Sequence, residues 1–162
     1  DKKFINRCKK VRKIKDNETL ESIQIADFII FAANWRVWDS NLINNSIKNL
    51  SINKNTNIYI IGKKNFGDIK YNKLINLNEK ELINYQSKVG SDFIEVYDFM
   101  SSKLDDKQFI DIHKIICPKI YTCKIILNNK LLSHDGSHLT KDGAKILGAL
   151  VFHNSKLEAL LK

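Results

Sequence analysis

The sequence has 162 residues, which fits one domain or most of one. Hydrophobic residues at 43% and charged residues at 28% exclude a wholly disordered chain, and no apolar run approaches the ~18 residues of a membrane span. Against 18 Asp and Glu stand 27 Lys and Arg, a net charge of +9, and residues 1–15 hold +7 of it in Lys2, Lys3, Arg7, Lys9, Lys10, Arg12, Lys13 and Lys15 against Asp1 alone.

That basic end has no aromatic interleaving on which bases could stack, so nucleic acid is not the favoured partner. A solvated basic face, or a segment drawn to anionic lipid, is expected instead. Lys, Asn and Ile dominate the whole chain, a bias that an A/T-rich genome also produces. No secretory signal is visible, yet the chain opens at Asp1 and its only methionine is Met100. A fragment or a processed product is the expectation.

Past the basic lead-in, Ala26–Ala33 is almost continuously apolar and predicts a strand buried on both faces. Asn34–Trp38 follows as a loop. Asp39 or Ser40 can cap a helix that carries Leu42, Ile43, Ile47 and Leu50 on one face, closed by the polar turn Ser51–Asn57. Ile58–Ile61 is a second buried strand, stopped by Gly62. Strand, helix, strand within about 35 residues predicts a right-handed parallel crossover.

Residues 63–77 form a polar stretch of weak pattern, expected as loop. Asn78 caps a predicted helix through Lys88 with Gly90 as its stop, and Phe93, Val96, Tyr97, Met100 and Leu104 recur at helical spacing in the next. Phe109–Ile112 is a third short strand, and Lys124–Leu132 a hairpin turning at Asn128-Asn129. Thr140 caps a last helix with Ile146, Leu147, Leu150, Val151 and Leu157 inward. The order predicts one α/β domain, with 1–25 as lead-in and 26–162 as core.

Cys8, Cys117 and Cys123 lack paired zinc-ligand spacing, and no metal site is expected. Cys117 and Cys123 flank five residues that include Pro118, which fits either a tight disulfide loop or two buried thiols. A disulfide would imply an exported compartment. Of the four histidines, His113 and His153 fall in or beside packed elements with no pattern around them. His134 and His138 bracket Asp135 in Ser133-His-Asp-Gly-Ser-His-Leu-Thr140. An Asp three residues before a His can hold the imidazole Nδ1 and leave Nε2 facing a nucleophile, so the His moves the proton and the Asp fixes its tautomer.

Asp135-Gly-Ser-His-Leu-Thr-Lys-Asp-Gly-Ala144 resembles the last sequence block of the SGNH (GDSL-type) esterase and acyltransferase superfamily. Phe109-Ile-Asp-Ile-His-Lys-Ile-Ile-Cys117 followed by Cys123 is similar to the preceding segment of SGNH domains fused to membrane acyltransferases, which carry a short Cys-to-Cys loop there. Asp27-Phe-Ile-Ile-Phe-Ala-Ala-Asn-Trp35 is similar to their third block. The resemblance implies a three-layer flavodoxin-like parallel sheet and an extracytoplasmic location, in the bacterial periplasm or on the outer face of the inner membrane. It also implies His138 and Asp135 as catalytic residues and Cys117–Cys123 as a disulfide.

Two departures qualify it. The chain contains no Gly-Asp-Ser: Gly67-Asp-Ile69 lacks the serine, Asp39-Ser40 lacks the glycine and follows the wrong strand, and Gly90-Ser-Asp92 is reversed. The family block precedes the Asp27 strand, with another strand between, so the N-terminal strands and the nucleophile are expected upstream. In the third block, Ala32-Ala-Asn-Trp35 stands where many hydrolases have Gly-x-Asn-Asp. Asn34 then takes the oxyanion position, where one donor supplies ~3 to 4 kcal/mol, or it serves its own turn. Trp35 and Trp38 either line a sugar surface or cover the sheet edge, the latter being favoured.

The resemblance implies transfer of an acetyl group to a glycan hydroxyl such as that of lipopolysaccharide O-antigen. The acetyl donor, derived from acetyl-CoA, would come through a membrane acyltransferase domain in the same or a partner chain, with no tightly bound cofactor. A carbohydrate esterase differs only in using water as acceptor. A reading of another class is a non-catalytic domain that binds glycans or anions.

Overall fold

The computed structural model describes residues 17–50 and 52–161. The basic segment 1–15 and Cys8 lie outside them. Helix α1 (Asn17–Ile25) leads into β1 (Phe28–Ala32), then α2 (Val37–Lys48) and β2 (Asn57–Ile61). The strands pair in parallel from Phe28 with Asn57 to Ala32 with Ile61, and β2 pairs in parallel with β4 (Phe109–Ile110). The sheet order β1-β2-β4 is the parallel α/β arrangement expected from the strand–helix–strand pattern.

Side-chain alternation divides the sheet into two faces. Phe31, Ile58, Ile60 and Phe109 pack with Trp35 and Ile43 and with Val96, Met100 and Leu104 of α5 (Ser91–Lys103) and its C-cap. Ile60 is fully buried there and Met100 nearly so. On the opposite side Ile61 shares a groove of ≈ 360 Å³ with Ile112 and Ile116 of α6 (Ile112–Ile116) and Leu147 and Val151 of α7 (Lys141–His153).

A second core lies beyond the sheet. Phe66, Ile69, Leu74, Ile125, Leu132 and Leu147 gather around the disulfide that Cys117 and Cys123 form, with Cα atoms 4.8 Å apart. The disulfide decides between the two readings of those cysteines. Antiparallel β3 (Gln86–Lys88) and β5 (Thr122–Lys124) and the hairpin β6 (Ile126–Leu127) and β7 (Lys130–Leu131) frame this core. Asn128 and Asn129 both adopt positive φ, 50° and 56°, as a two-residue hairpin turn demands.

Several expectations are corrected. The β1 segment is not buried on both faces: Phe28 is 46% and Ile30 41% exposed, because no described element covers that side of an edge strand. The following helix begins at Val37, with Arg36 as its N-cap and Asp39 accepting from the Arg36 backbone amide at 3.3 Å. Trp38 therefore belongs to the helix, Ser40 is buried in its first turn, and Leu42 points outward.

Residues 63–77 are not merely loop. They supply Phe66, Ile69 and Leu74 to the second core and form the short helix α3 (Tyr71–Leu74). The helix capped by Asn78, α4 (Glu79–Asn84), stops early, and Gln86–Lys88 pairs as a strand instead. Gly90 is the N-cap of α5 rather than a helix stop. After Ile110 the chain turns into α6, whose cap Asp111 accepts from the Lys114 amide, so the third strand is two residues long. Helix α7 ends at His153, leaving Leu157 in the 3-10 helix Lys156–Leu161.

Candidate active site

Ser133–Thr140 forms a tight turn between the hairpin and α7, and its backbone is pinned from inside. Ser133 is fully buried; its Oγ donates to the His138 carbonyl at 2.6 Å and accepts from the Gly136 amide at 2.9 Å. Thr140 caps α7 by accepting from the Gly143 amide at 2.9 Å and donates to the Leu131 carbonyl. The ends of the turn are thereby anchored, while its tip stays exposed.

The tip carries Asp135 and His138. Asp135 Oδ1 accepts from the amides of Ser137 at 2.9 Å and His138 at 2.7 Å, and Oδ2 accepts from His138 Nδ1 at 2.6 Å. These bonds, the His138 amide first, hold the Asp135 carboxyl well below the usual carboxylate range, so it stays ionised and acts only as an acceptor. An ionised acceptor at Nδ1 puts the imidazole proton there and leaves Nε2 as the basic nitrogen. The His138 side chain is 76% exposed, so Nε2 is open to an incoming group.

The segment after β2 runs beneath this turn, and sequence reasoning missed it. Lys64 Nζ donates to the Ser137 carbonyl at 2.5 Å, and the Phe66 amide donates to the Gly136 carbonyl at 2.8 Å. Partial burial lowers the Lys64 pKa, and the nearby Asp135 charge opposes the drop. Gly136 sits at φ +88° with its Cα against the Gly67 carbonyl, leaving no room for a Cβ. The signal was Phe66-Gly67, an apolar residue and a glycine set between Lys63-Lys64-Asn65 and Asp68.

These contacts bring the dyad to the carboxyl end of β2, where ligands bind in open parallel sheets. Asn34 lies in the loop after β1, at the same end of the sheet, exposed and without a hydrogen bond to the dyad among the described residues. Trp35 folds inward and its Nε1 donates to the Ile61 carbonyl at 2.7 Å, which makes it a cover for the end of β2 rather than a sugar platform. Trp38 remains 47% exposed.

Among the described residues no serine hydroxyl hydrogen-bonds to His138 Nε2. Ser40 Oγ donates to the Val37 carbonyl at 2.8 Å and Ser87 Oγ to the Phe66 carbonyl, and both are buried. A cleft of ≈ 820 Å³ bordered by Phe109, Asp111, Lys114 and His153 contains neither dyad residue. Chemistry rather than cavity size therefore locates the site.

No curated protein and no solved structure matches the chain. A family model described as "SGNH domain (fused to AT3 domains)" matches residues 3–152, which takes in the sheet, the disulfide loop and the whole dyad turn. With that match over most of its length, the chain belongs to the SGNH domains fused to AT3 domains, an acyltransferase-associated family of α/β fold.

Proposed function

We propose that this domain transfers an acetyl group to a hydroxyl of a cell-envelope glycan, such as O-antigen, on the extracytoplasmic side of the inner membrane. The observation that carries the reading is the 2.6 Å bond from His138 Nδ1 to Asp135 Oδ2, which leaves Nε2 free at the carboxyl end of the sheet. The family's association with acyltransferase domains supplies the reaction class, and the Cys117–Cys123 disulfide supports an oxidising compartment.

In this reading a serine from outside this sequence attacks the carbonyl carbon of the acetyl donor, and His138 Nε2 takes its proton. The imidazolium, held by Asp135, returns that proton to the departing group as the tetrahedral intermediate collapses. The glycan hydroxyl then attacks the acetyl-serine, giving its proton to Nε2, and the serine leaves with that proton. Asn34 and backbone amides stabilise the oxyanion. The donor is acetyl-CoA derived and arrives through the membrane acyltransferase domain, so no tightly bound cofactor is needed.

The test is glycan O-acetylation in cells carrying the full-length protein. His138→Ala is expected to abolish it, and Asp135→Asn to lower the transfer rate by about 10³ to 10⁴-fold by losing the tautomer control. Unchanged acetylation in His138→Ala would overturn the assignment. Exposure of the dyad favours one variant of this reading, in which water replaces the sugar hydroxyl and the domain is an esterase. Acetate release without transfer to an added acceptor identifies that case.

A further inference from the structure

His134 has no part in the proposed proton relay, yet its ring converges on the same carboxylate. Its Nε2 lies 3.9 Å from Asp135 Oδ2, the oxygen that His138 Nδ1 approaches at 2.6 Å. The two rings stack with centroids 5.9 Å apart and planes 19° from parallel. One donor atom from each of the three residues falls within 4.8 Å of the other two.

We propose that His134, Asp135 and His138 form a binding site for a divalent transition-metal ion such as Zn²⁺, and that occupancy switches off the dyad. Two imidazoles and a carboxylate are a donor set that borderline ions favour. Ligands about 2.0 Å from a tetrahedral ion lie about 3.3 Å apart, a value between the two separations seen here, so small side-chain rotations close the site. The two imidazoles have room to make them, since the His134 and His138 side chains are 52% and 76% exposed. The carboxylate is ready too, because Asp135 Oδ1 is committed to two backbone amides and Oδ2 faces both rings. Three protein ligands leave at least one position for water.

Coordination at His138 Nδ1 moves the ring proton to Nε2. An Nε2–H imidazole cannot accept the proton of a hydroxyl, so the metal-loaded dyad is an inactive base. The binding claim stands on the geometry of the turn alone, while the inhibitory consequence rests on the acyl-transfer reading above.

The experiment is equilibrium dialysis of Zn²⁺ against the intact untagged chain. One ion per chain is expected, with affinity at least about tenfold weaker in His134→Ala and His134→Gln. His153→Ala, which alters an exposed histidine elsewhere, is expected to bind as the parent does. No saturable binding, or equal binding in parent and both His134 variants, would overturn the site. Where transfer is measurable, Zn²⁺ should slow the parent and a chelator restore it, with His134→Ala keeping its metal-free rate and resisting Zn²⁺. Inhibition equal in parent and variant overturns the switch. Absence of transfer without metal in the parent counts against the acyl-transfer reading, and dialysis still decides the site.

Discussion

Asp135 divides its two oxygens between backbone and imidazole, and that division makes a short exposed turn into a defined chemical device. His113 is the opposite case, a histidine used for packing. It is fully buried, its ring lies 4.4 Å from Phe93 and 5.6 Å from Tyr97, and its Nε2 meets the Ile120 carbonyl at 3.1 Å. Burial lowers its pKa from 6.5, against the opposing pull of the Ile120 carbonyl and Asp111. As pH falls through 6.5 the unfolded chain gains a proton at this ring that the folded chain refuses, so stability drops as pH drops. The urea midpoint is expected to be lower at about pH 5.5 than at about pH 7.5, and His113→Phe to flatten that slope. An equal slope in the variant would assign the pH dependence elsewhere. Tyr97 acts at the other end of the scale: burial and its 2.7 Å bond to Asp111 Oδ2 push its pKa up to about 12.

At the scale of elements, the dyad turn is held by neighbours distant in sequence. Gly136 needs both a positive φ and the space that a Cβ would take from the Gly67 carbonyl. Gly136→Ala is therefore expected to cost about 1 to 3 kcal/mol, read as a lower urea midpoint, and to shift the His138 ring signals in NMR spectra. The Cys117–Cys123 link closes a loop of sequence separation 6 beside the same core. Loop-closure entropy for so short a loop predicts that the double variant Cys117→Ala/Cys123→Ala loses about 2 kcal/mol, measurable by urea denaturation. Helix capping was readable at Asn78 and Thr140, because each local sequence supplies its own acceptor. It was misread at Asp39: an acidic residue serves as N-cap or as N3 partner with equal local logic, and the packing of Trp35 over β2 sets which turn comes first.

The molecule as a whole has two cores with different duties. Met100 anchors the sheet core, and Phe66 anchors the core that carries the dyad turn. Met100→Ala is expected to cost about 2 to 5 kcal/mol and Phe66→Ala about 3 to 5 kcal/mol, both visible as lower urea midpoints. Only Phe66→Ala should also lower transfer in protein that remains folded, because the buried Phe66 ring fixes the position of the backbone amide that donates to the Gly136 carbonyl. Equal loss of transfer in both would mean that the second core has no special hold on the site.

The sequence by itself determined the parallel β1–β2 crossover, the hairpin at Asn128-Asn129, the α7 cap and the Asp135–His138 pairing. Each is encoded within a few residues or by a strong apolar period, so local chemistry suffices. Only the tertiary structure decided that residues 63–77 build a core, that Gln86–Lys88 is a strand, that Phe28 and Ile30 lie uncovered and that His134 turns toward Asp135. Most of those outcomes depend on partners far away in the chain, such as Gln86 with Lys124 in the β3–β5 pair or Lys64 with Ser137 across 73 positions, and a linear pattern carries no record of which surfaces meet.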